Sequence, residues 1–358
     1  MKAIITVALV WVGALSPAWS ESDTIQLTLA ESWGEGAPVF GETTRRFATL
    51  VEQLSGGRLS VQVDSANVHG QPLGIFDLVK RGEYDLGHSA SYYWKDSVPN
   101  TLYFSTMPFG MMAVERYAWF YQGEGMALMD EVYQPHNLYS FPGGNTGVQM
   151  GGWFRSEIRT LEDLQGLRMR VPGFAGEVLS EVGVETVNLP STELFDALKS
   201  GELDALEWVG PSLDLDMEFH SVAPYYYTGW HEPGTELQFL ANRDTFDRLP
   251  EDLQNVLTIA MRTVAYDMWI LSHHRSAVNW QQMEREYPNI QVRSFPPEVM
   301  NALRDANRRL LAERAEQDPL AERIIHSLAD YQKGTRRWID ISERAYLGNM
   351  DAQGNRIE

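Results

Sequence analysis

Cysteine is absent from this 358-residue chain. That absence excludes disulfides, thiol nucleophiles, zinc fingers and iron–sulfur clusters together. Basic residues are scarce: 29 Lys+Arg stand against 49 Asp+Glu, for a formal net charge of −20. Phosphate contacts need clustered cations, so nucleic acid and anionic membrane surfaces are poor partners for such a chain. After residue 20 no apolar run approaches the roughly 18–20 residues of a membrane-spanning helix. Enzyme signatures are missing too. The chain has no G-x-S-x-G, no Walker A loop, no H-E-x-x-H and no G-x-G-x-x-G following a strand.

What is present begins with a leader. Lys2 supplies a positive start, Ala3–Leu15 is almost unbroken apolar sequence, and Ala18-Trp19-Ser20 has the small-residue spacing of a cleavage site. Residues 1–20 therefore read as a cleaved secretory signal, and a bacterial periplasm suits a chain without thiols. The remaining length exceeds what one hydrophobic core usually supports, which predicts two lobes.

Alternating Ile25, Leu27 and Leu29 predict a first strand, and Leu59, Val61 and Val63 a second. Between them Phe47, Leu50, Val51 and Leu54 share a helix face that Gly56-Gly57 terminates. A helix carrying Ile75, Leu78 and Val79 leads to a strand at Tyr84–His88. This strand–helix order predicts an α/β lobe with a largely parallel sheet. The pattern restarts with strands at 148–154 and 167–171, helices at 174–182 and 192–200, and a strand at 237–242. A helix from Pro250 to about Tyr287 is long enough to brace two lobes, and helices at 297–316 and 320–347 follow. The resulting division is 21–142 mainly lobe 1, 143–245 mainly lobe 2, and 246–358 a bracing and C-terminal helical unit across both.

A repeat joins the halves. Residues 75–89 (IFDLVKRGEYDLGHS) align without gaps on 194–208 (LFDALKSGELDALEW), with Phe76/Phe195, Asp77/Asp196, Lys80/Lys199, Gly82/Gly201, Glu83/Glu202 and Asp85/Asp204 identical. In open α/β sheets ligands bind beyond the carboxyl ends of strands. The repeat thus sets Ser89–Trp94 and Glu207–Trp208 on opposite walls of one cleft.

Adjacent His273 and His274 cannot face one way on a helix, which argues against a shared metal. Asp214, Asp216, Glu218 and His220 alternate with Leu215, Met217 and Phe219 and lack the Gly and terminal Glu of an EF-hand loop. They read as a solvated segment. Three segments combine polar groups with glycine or aromatic density: Gly143–Gln149, Leu167–Gly173 with Arg168 and Arg170 on one strand face, and Glu207–Pro211. An Arg at a strand end is a natural carboxylate clamp, because its planar fork makes two parallel charge-assisted bonds. Pairing with an internal acid competes with that role.

The motifs GHSASYYW (87–94), PFGM (108–111), GNTGVQMGGWF (144–154), GLRMRVPGFAGEV (166–178), ALEWVGP (205–211) and GWHEPG (229–234) give the chain its kinship. It resembles the DctP-type periplasmic solute-binding subunits of TRAP transporters, within them the subgroup that binds 2-oxo acids and related monocarboxylates. The resemblance runs from about Ile25 to Tyr346. It implies a two-lobed α/β periplasmic binding protein fold, type II-like, that closes on a small organic anion such as pyruvate and delivers it to a membrane permease. It implies that Gln149 contacts ligand and cation, that Arg170 clamps the ligand carboxylate, and that the Glu207 side chain and Trp208 carbonyl hold the cation. Glu232 of the HEPG motif, Tyr93, Asn145 and Trp208 complete the expected ligand contacts. Tyr92, Tyr93 and Trp94 suggest an aromatic wall, against a core role for Trp94. Two departures stand out: Ser212-Leu213-Asp214 replaces the usual aromatic and Asn or Asp after EWVGP, and the stretch before Gly229 is one residue short.

Electrostatics agrees with a cation. Two charges ~4 Å apart interact by about 4 kcal/mol at an effective dielectric of 20. Arg170 offsets one negative charge, whereas a carboxylate ligand with Glu207 and Glu232 makes three. Hard oxygen donors favour Na⁺ or Ca²⁺ over zinc or copper. Protonation of Glu232, or its pairing with Arg168, would also relieve the repulsion. Two rival readings use the same cleft: a secreted hydrolase or lyase with paired carboxylates Glu207 and Glu232, and a sensory module that presents its ligand to a receptor. The C-terminal helices offer a surface for a homodimer.

Overall fold

The computed structural model describes residues 24–349, so the expected leader lies outside the described residues. The strands, in chain order, are β1 (Ile25–Glu31), β2 (Leu59–Asp64), β3 (Leu86–Ser89), β4 (Leu138–Asn145), β5 (Gly152–Phe154) and β6 (Arg168–Arg170). They continue with β7 (Glu185–Val187), β8 (Ala205–Leu206), β9 (Tyr225–Tyr227), β10 (Glu236–Asn242) and β11 (Gln291–Arg293). They form a five-stranded sheet, β2-β1-β3-β10-β4, and a six-stranded sheet, β11-β9-β5-β8-β6-β7.

Neither sheet is all parallel. β1 runs parallel to β2 and β3, but β10 is antiparallel to β3 and β4. In the second sheet β5 is antiparallel to β8 and β9, while β6 is parallel to β7 and β8. Each sheet thus carries one reversed strand, contributed where the chain crosses from the other lobe. β10 lies in the stretch assigned mainly to lobe 2, yet it pairs into the first sheet. The strand expected at 148–154 shrinks to β5 for the same reason, since residues 146–151 are the crossing itself. Helices at Ala113–Gln122 and Gly125–Tyr133, and strand β4, fall in a stretch for which no elements were predicted.

The repeat is structurally real. The helices Ile75–Lys80 and Leu194–Ser200 are followed by Gly82 and Gly201 at φ 70° and 80°, a left-handed turn that glycine adopts without strain. Asp85 then accepts the Thr28 backbone N–H of β1 at 2.8 Å, and Asp204 accepts the Arg168 N–H of β6 at 3.0 Å. One carboxylate in each half pins the neighbouring parallel strand. β3 and β8 then hold equivalent places, each between a parallel strand and the reversed one.

The first sheet packs Leu27, Leu29 and Phe239 against Phe47 and Val51 of the Phe40–Ser55 helix and against Leu253, Leu257, Met261 and Val264. Those last residues belong to the helix Glu251–Glu286, whose 36 residues span about 54 Å at 1.5 Å per residue. Its far end places Trp280 and Met283 in the second lobe's cluster with Trp153, Leu206 and Tyr226. Helices Pro297–Gln317, Pro319–Ile341 and Glu343–Gly348 finish the chain, the predicted 320–347 helix being broken at Ser342. They tie to both lobes: Arg314 pairs with Glu177 at 2.6 Å in the second, Arg336 with Glu115 at 2.7 Å in the first. Among the described residues no helix is long and apolar enough to cross a membrane.

Candidate functional site

Two segments carry the chain between lobes, Thr146–Gly151 and Thr228–Thr235, and they run side by side. Thr146 N–H donates to Thr235 O at 3.0 Å and Gln149 N–H to Glu232 O at 3.0 Å. The approach is so close that a Cβ on Gly229 would lie 1.9 Å from the Gln149 carbonyl. Ser272 of the long helix donates to Thr146 O at 2.8 Å, bracing the crossing from outside.

The crossing orients Gln149. Its Nε2 donates to the Thr146 and Thr235 hydroxyls, both at 3.0 Å, and each hydroxyl donates onward, to Gly147 O and to Glu232 Oε2. With the amide protons committed, Oε1 of Gln149 is the buried atom left without a partner. Glu207 Oε1 and Glu232 Oε1 are likewise buried and unpaired. Buried polar atoms are nearly always hydrogen-bonded, so three orphaned oxygens in one place mark a ligand site. His231, both ring nitrogens unpaired, joins Glu207 and Glu232 in a group whose ligand atoms lie within 4.8 Å of one another. Its Nε2 stands 3.4 Å from Glu207 Oε1, within ion-pair reach but not hydrogen-bonded.

Strand β6 aims Arg170 at the same place. The guanidinium is 1% exposed; Nη1 donates to Glu207 O at 2.6 Å and Nε to Leu189 O at 3.2 Å. Its contact with Glu207 Oε2 is long, 3.5 Å, and its carbon sits 5.4 Å from the Trp208 ring centroid. Backbone carbonyls thus hold the fork while the nearest carboxylate leaves it incompletely neutralised. Burial raises the Glu207 pKa well above the ordinary range, with Arg170 pulling it down and Asp214 adding to the rise. Burial, then the Glu207 charge, lifts Glu232 to about 7. A cation among these oxygens would remove that penalty. The donor set fits one: two carboxylate oxygens and an amide oxygen are hard ligands of the kind Ca²⁺ and Na⁺ take.

The opposite wall comes from the segment after β3. Burial raises the Tyr93 hydroxyl, and the facing Arg170 charge opposes the rise. Tyr92 is pushed well up by burial and by Glu232, and its ring closes to 3.2 Å of the position a Cβ on Gly173 would take. The two walls expected from the repeat therefore meet. Trp94 takes the core role: its ring lies 5.6 Å from Phe76 and its Nε1 donates to Tyr133. Asn145 stands behind the crossing, with Nδ2 on Glu236 Oε2 at 3.0 Å and Oδ1 accepting the Gly147 N–H at 2.9 Å. Its amide joins β4 to β10 rather than joining the orphaned oxygens.

Two expectations are corrected. Arg168 does not pair with Glu232; it is exposed and bound to Asp204 at 3.0 Å and to Gly201 O at 2.7 Å, serving the repeat's turn. Asp214 is not solvated but 1% exposed, accepting from Val209 N, Gly210 N, Trp153 Nε1 and Tyr226 Oη–H. Those four donors hold the Glu207–Gly210 loop; Pro211 at the start of a helical turn was the available hint that an acid three residues on could fold back. His231, Thr146 and Thr235 were not singled out. A surface groove of about 780 Å³ runs elsewhere, beside Leu271–Tyr287, and does not include the unpaired buried oxygens.

Two lobes built around crossing strands, with a buried guanidinium and a cluster of unpaired oxygens between them, have the build of a solute-binding protein. The chain belongs to the bacterial extracellular solute-binding proteins of family 7 (DctP), whose profile matches residues 29–318. It is 33% identical over 326 residues, 90% of this chain and 88% of the relative, to the monocarboxylate 2-oxoacid-binding periplasmic protein all3028 of Nostoc sp.. Among solved structures it is similar to a TRAP periplasmic solute binding protein from Colwellia psychrerythraea with bound calcium and pyruvate: TM-score 0.91, 55% identity, 91% of this chain and 100% of that one. A counterpart from Pseudoalteromonas atlantica T6c with bound sodium and pyruvate gives TM-score 0.90 and 55% identity over 92% of this chain and 100% of that one. Membership in this family makes the chain an extracytoplasmic solute receptor and not an enzyme, which disposes of the hydrolase reading.

Proposed function

We propose that this protein captures a small monocarboxylate, a 2-oxo acid such as pyruvate, together with Ca²⁺ or Na⁺, and delivers it to TRAP permease subunits in the membrane. The observation that carries this reading is the set of three orphaned oxygens, on Gln149, Glu207 and Glu232, beside the backbone-held guanidinium of Arg170. A 2-oxo acid offers one carboxylate oxygen and its keto oxygen to a cation while its carboxylate meets Arg170. The Trp208 carbonyl adds a further oxygen, and Tyr93 and the Trp208 ring bound the ligand. Relatives 55% identical that hold pyruvate with calcium or sodium support the same pairing here.

Calorimetry with pyruvate tests it. Arg170→Ala lowers affinity more than tenfold, and chelation plus exhaustive removal of sodium weakens the wild type; affinity indifferent to all three treatments rejects the reading. Mass spectrometry of material released from freshly purified protein identifies the natural anion. Residues 1–20 act as the cleaved export signal, so N-terminal sequencing of periplasmic protein starts after Ser20. Trp338, Ile341, Tyr346 and Leu347 lie exposed on the C-terminal helices and offer a second copy an apolar face, which sedimentation equilibrium checks.

A further inference from the structure

The PFGM motif (108–111) takes no part in the site just described, yet it roofs a cavity of about 150 Å³ between the first lobe and the helices Pro297–Gln317 and Pro319–Ile341. Arg116, 0% exposed, lines that cavity. Its Nη1 donates to Tyr103 O at 2.9 Å, but Nε and Nη2 have no partner. Those two nitrogens form one edge of the guanidinium, two parallel donors matched to the two oxygens of a carboxylate. A buried guanidinium with unmade hydrogen bonds is costly.

The surrounding charges do not fill that edge. Glu115 is bonded to Arg336, Thr335 and the Met112 N–H; Glu236 is bonded to the Gly144 N–H and to Asn145. Both act on Arg116 only through their fields. Met107, Phe109, Met111, Leu311, Ile325 and Leu328 line the same cavity and make it largely apolar. Water fits such a cavity poorly: each molecule occupies about 30 Å³ and needs two to four polar partners, which the apolar end does not supply. Asn307, whose amide oxygen is also buried and unpaired, is a further lining residue.

We propose that this cavity is a second ligand site, which takes a small monocarboxylate with its head side-on against Nε and Nη2 of Arg116 and a short hydrocarbon tail among the Met and Leu side chains. Phe109 links it to the first site, since its N–H donates to Trp230 O at 3.0 Å, next to His231 and Glu232.

The test uses full-length mature protein with pyruvate and calcium saturating the first site, titrated with acetate by calorimetry. A saturable one-to-one acetate event that persists in pyruvate, and that Arg116→Met weakens at least tenfold while pyruvate binding survives, supports the site. Acetate binding that pyruvate abolishes, or that Arg116→Met leaves unchanged, overturns it. Wild-type crystals soaked in 3-bromopropionate give an answer that depends neither on that variant's folding nor on pyruvate being the first ligand. A bromine anomalous peak among Met111, Leu311 and Leu328 supports the proposal; ordered water alone on Arg116 refutes it.

Discussion

Gln149 shows how neighbours decide which atom a single side chain leaves unpaired. Two threonine hydroxyls take its amide protons, so the oxygen is the atom presented to the site. Replacement by Met keeps the bulk and removes the donor oxygen. Gln149→Met is expected to weaken pyruvate binding at least tenfold and to blunt its response to added calcium, as a calcium titration at fixed pyruvate would show. Glu31 illustrates a different residue-level effect. Burial lifts its pKa from 4.5 to about 7, against the hydrogen bond from Thr44 and the charge of Arg45. The folded state therefore holds the proton over a range where the unfolded chain has released it. Stability from this group is complete below about pH 4.5 and is lost as pH rises towards 7, to a limit of about 3 kcal/mol. Glu31→Gln should flatten that part of the profile in chemical denaturation at pH 5 and pH 8; an unchanged slope would contradict it. Glu236, also raised to about 7 by burial, keeps some slope in the variant.

The repeated helix–glycine–strand unit is the element on which the cleft depends. Its Asp holds the adjacent parallel strand by a backbone N–H, and beyond its strand lies a wall of the site. Removing that acceptor leaves a half-buried Thr28 N–H unpaired, so Asp85→Ala should cost about 1–2 kcal/mol in guanidinium unfolding, and Asp204→Ala, whose partner Arg168 N–H is exposed to water, less. Asp204→Ala also releases Arg168, which distinguishes it from a change acting on ligand binding alone. The crossing segments respond more sharply. With 1.9 Å between a Cβ at position 229 and the Gln149 carbonyl, Gly229→Ala must push the segments apart. Pyruvate affinity should fall more than tenfold while far-ultraviolet circular dichroism stays native; wild-type affinity would show that the crossing tolerates the shift.

At the scale of the molecule the two lobes are closed, with Arg170, Glu207 and Glu232 each no more than 2% exposed. Entry and release of any ligand then require them to part, with the crossing segments and the long helix as the joint. Glu177 of the Gly173–Ser180 helix spans the gap: it pairs with Lys95 of the first lobe at 3.1 Å and with Arg314 at 2.6 Å. A partly exposed pair contributes about 1 kcal/mol at most, a factor of about five in a rate or equilibrium. Glu177→Gln should accordingly speed ligand release a few-fold by stopped flow, and more weakly at high salt where the pair is already screened. Small-angle scattering of ligand-free protein should show a larger radius of gyration than the loaded form.

Local pattern alone determined much of this. Alternation and helical spacing report which face of a segment is apolar, and the segments 25–29, 59–63 and 251–286 obey that rule because their neighbours cover one face only. The gapless repeat and the motifs around Gln149, Arg170, Glu207 and Glu232 were legible because each occupies a short contiguous stretch. Tertiary structure decided the rest. β10 joins the first sheet, Asp214 is buried under four donors, Arg168 serves a turn while Arg170 is buried on two backbone carbonyls, and Asn145 bonds to Glu236 of β10. None of these can be read locally, because burial and hydrogen-bond partnership are set by where the chain returns after crossing between lobes, at separations of tens to over a hundred residues that periodicity does not sense.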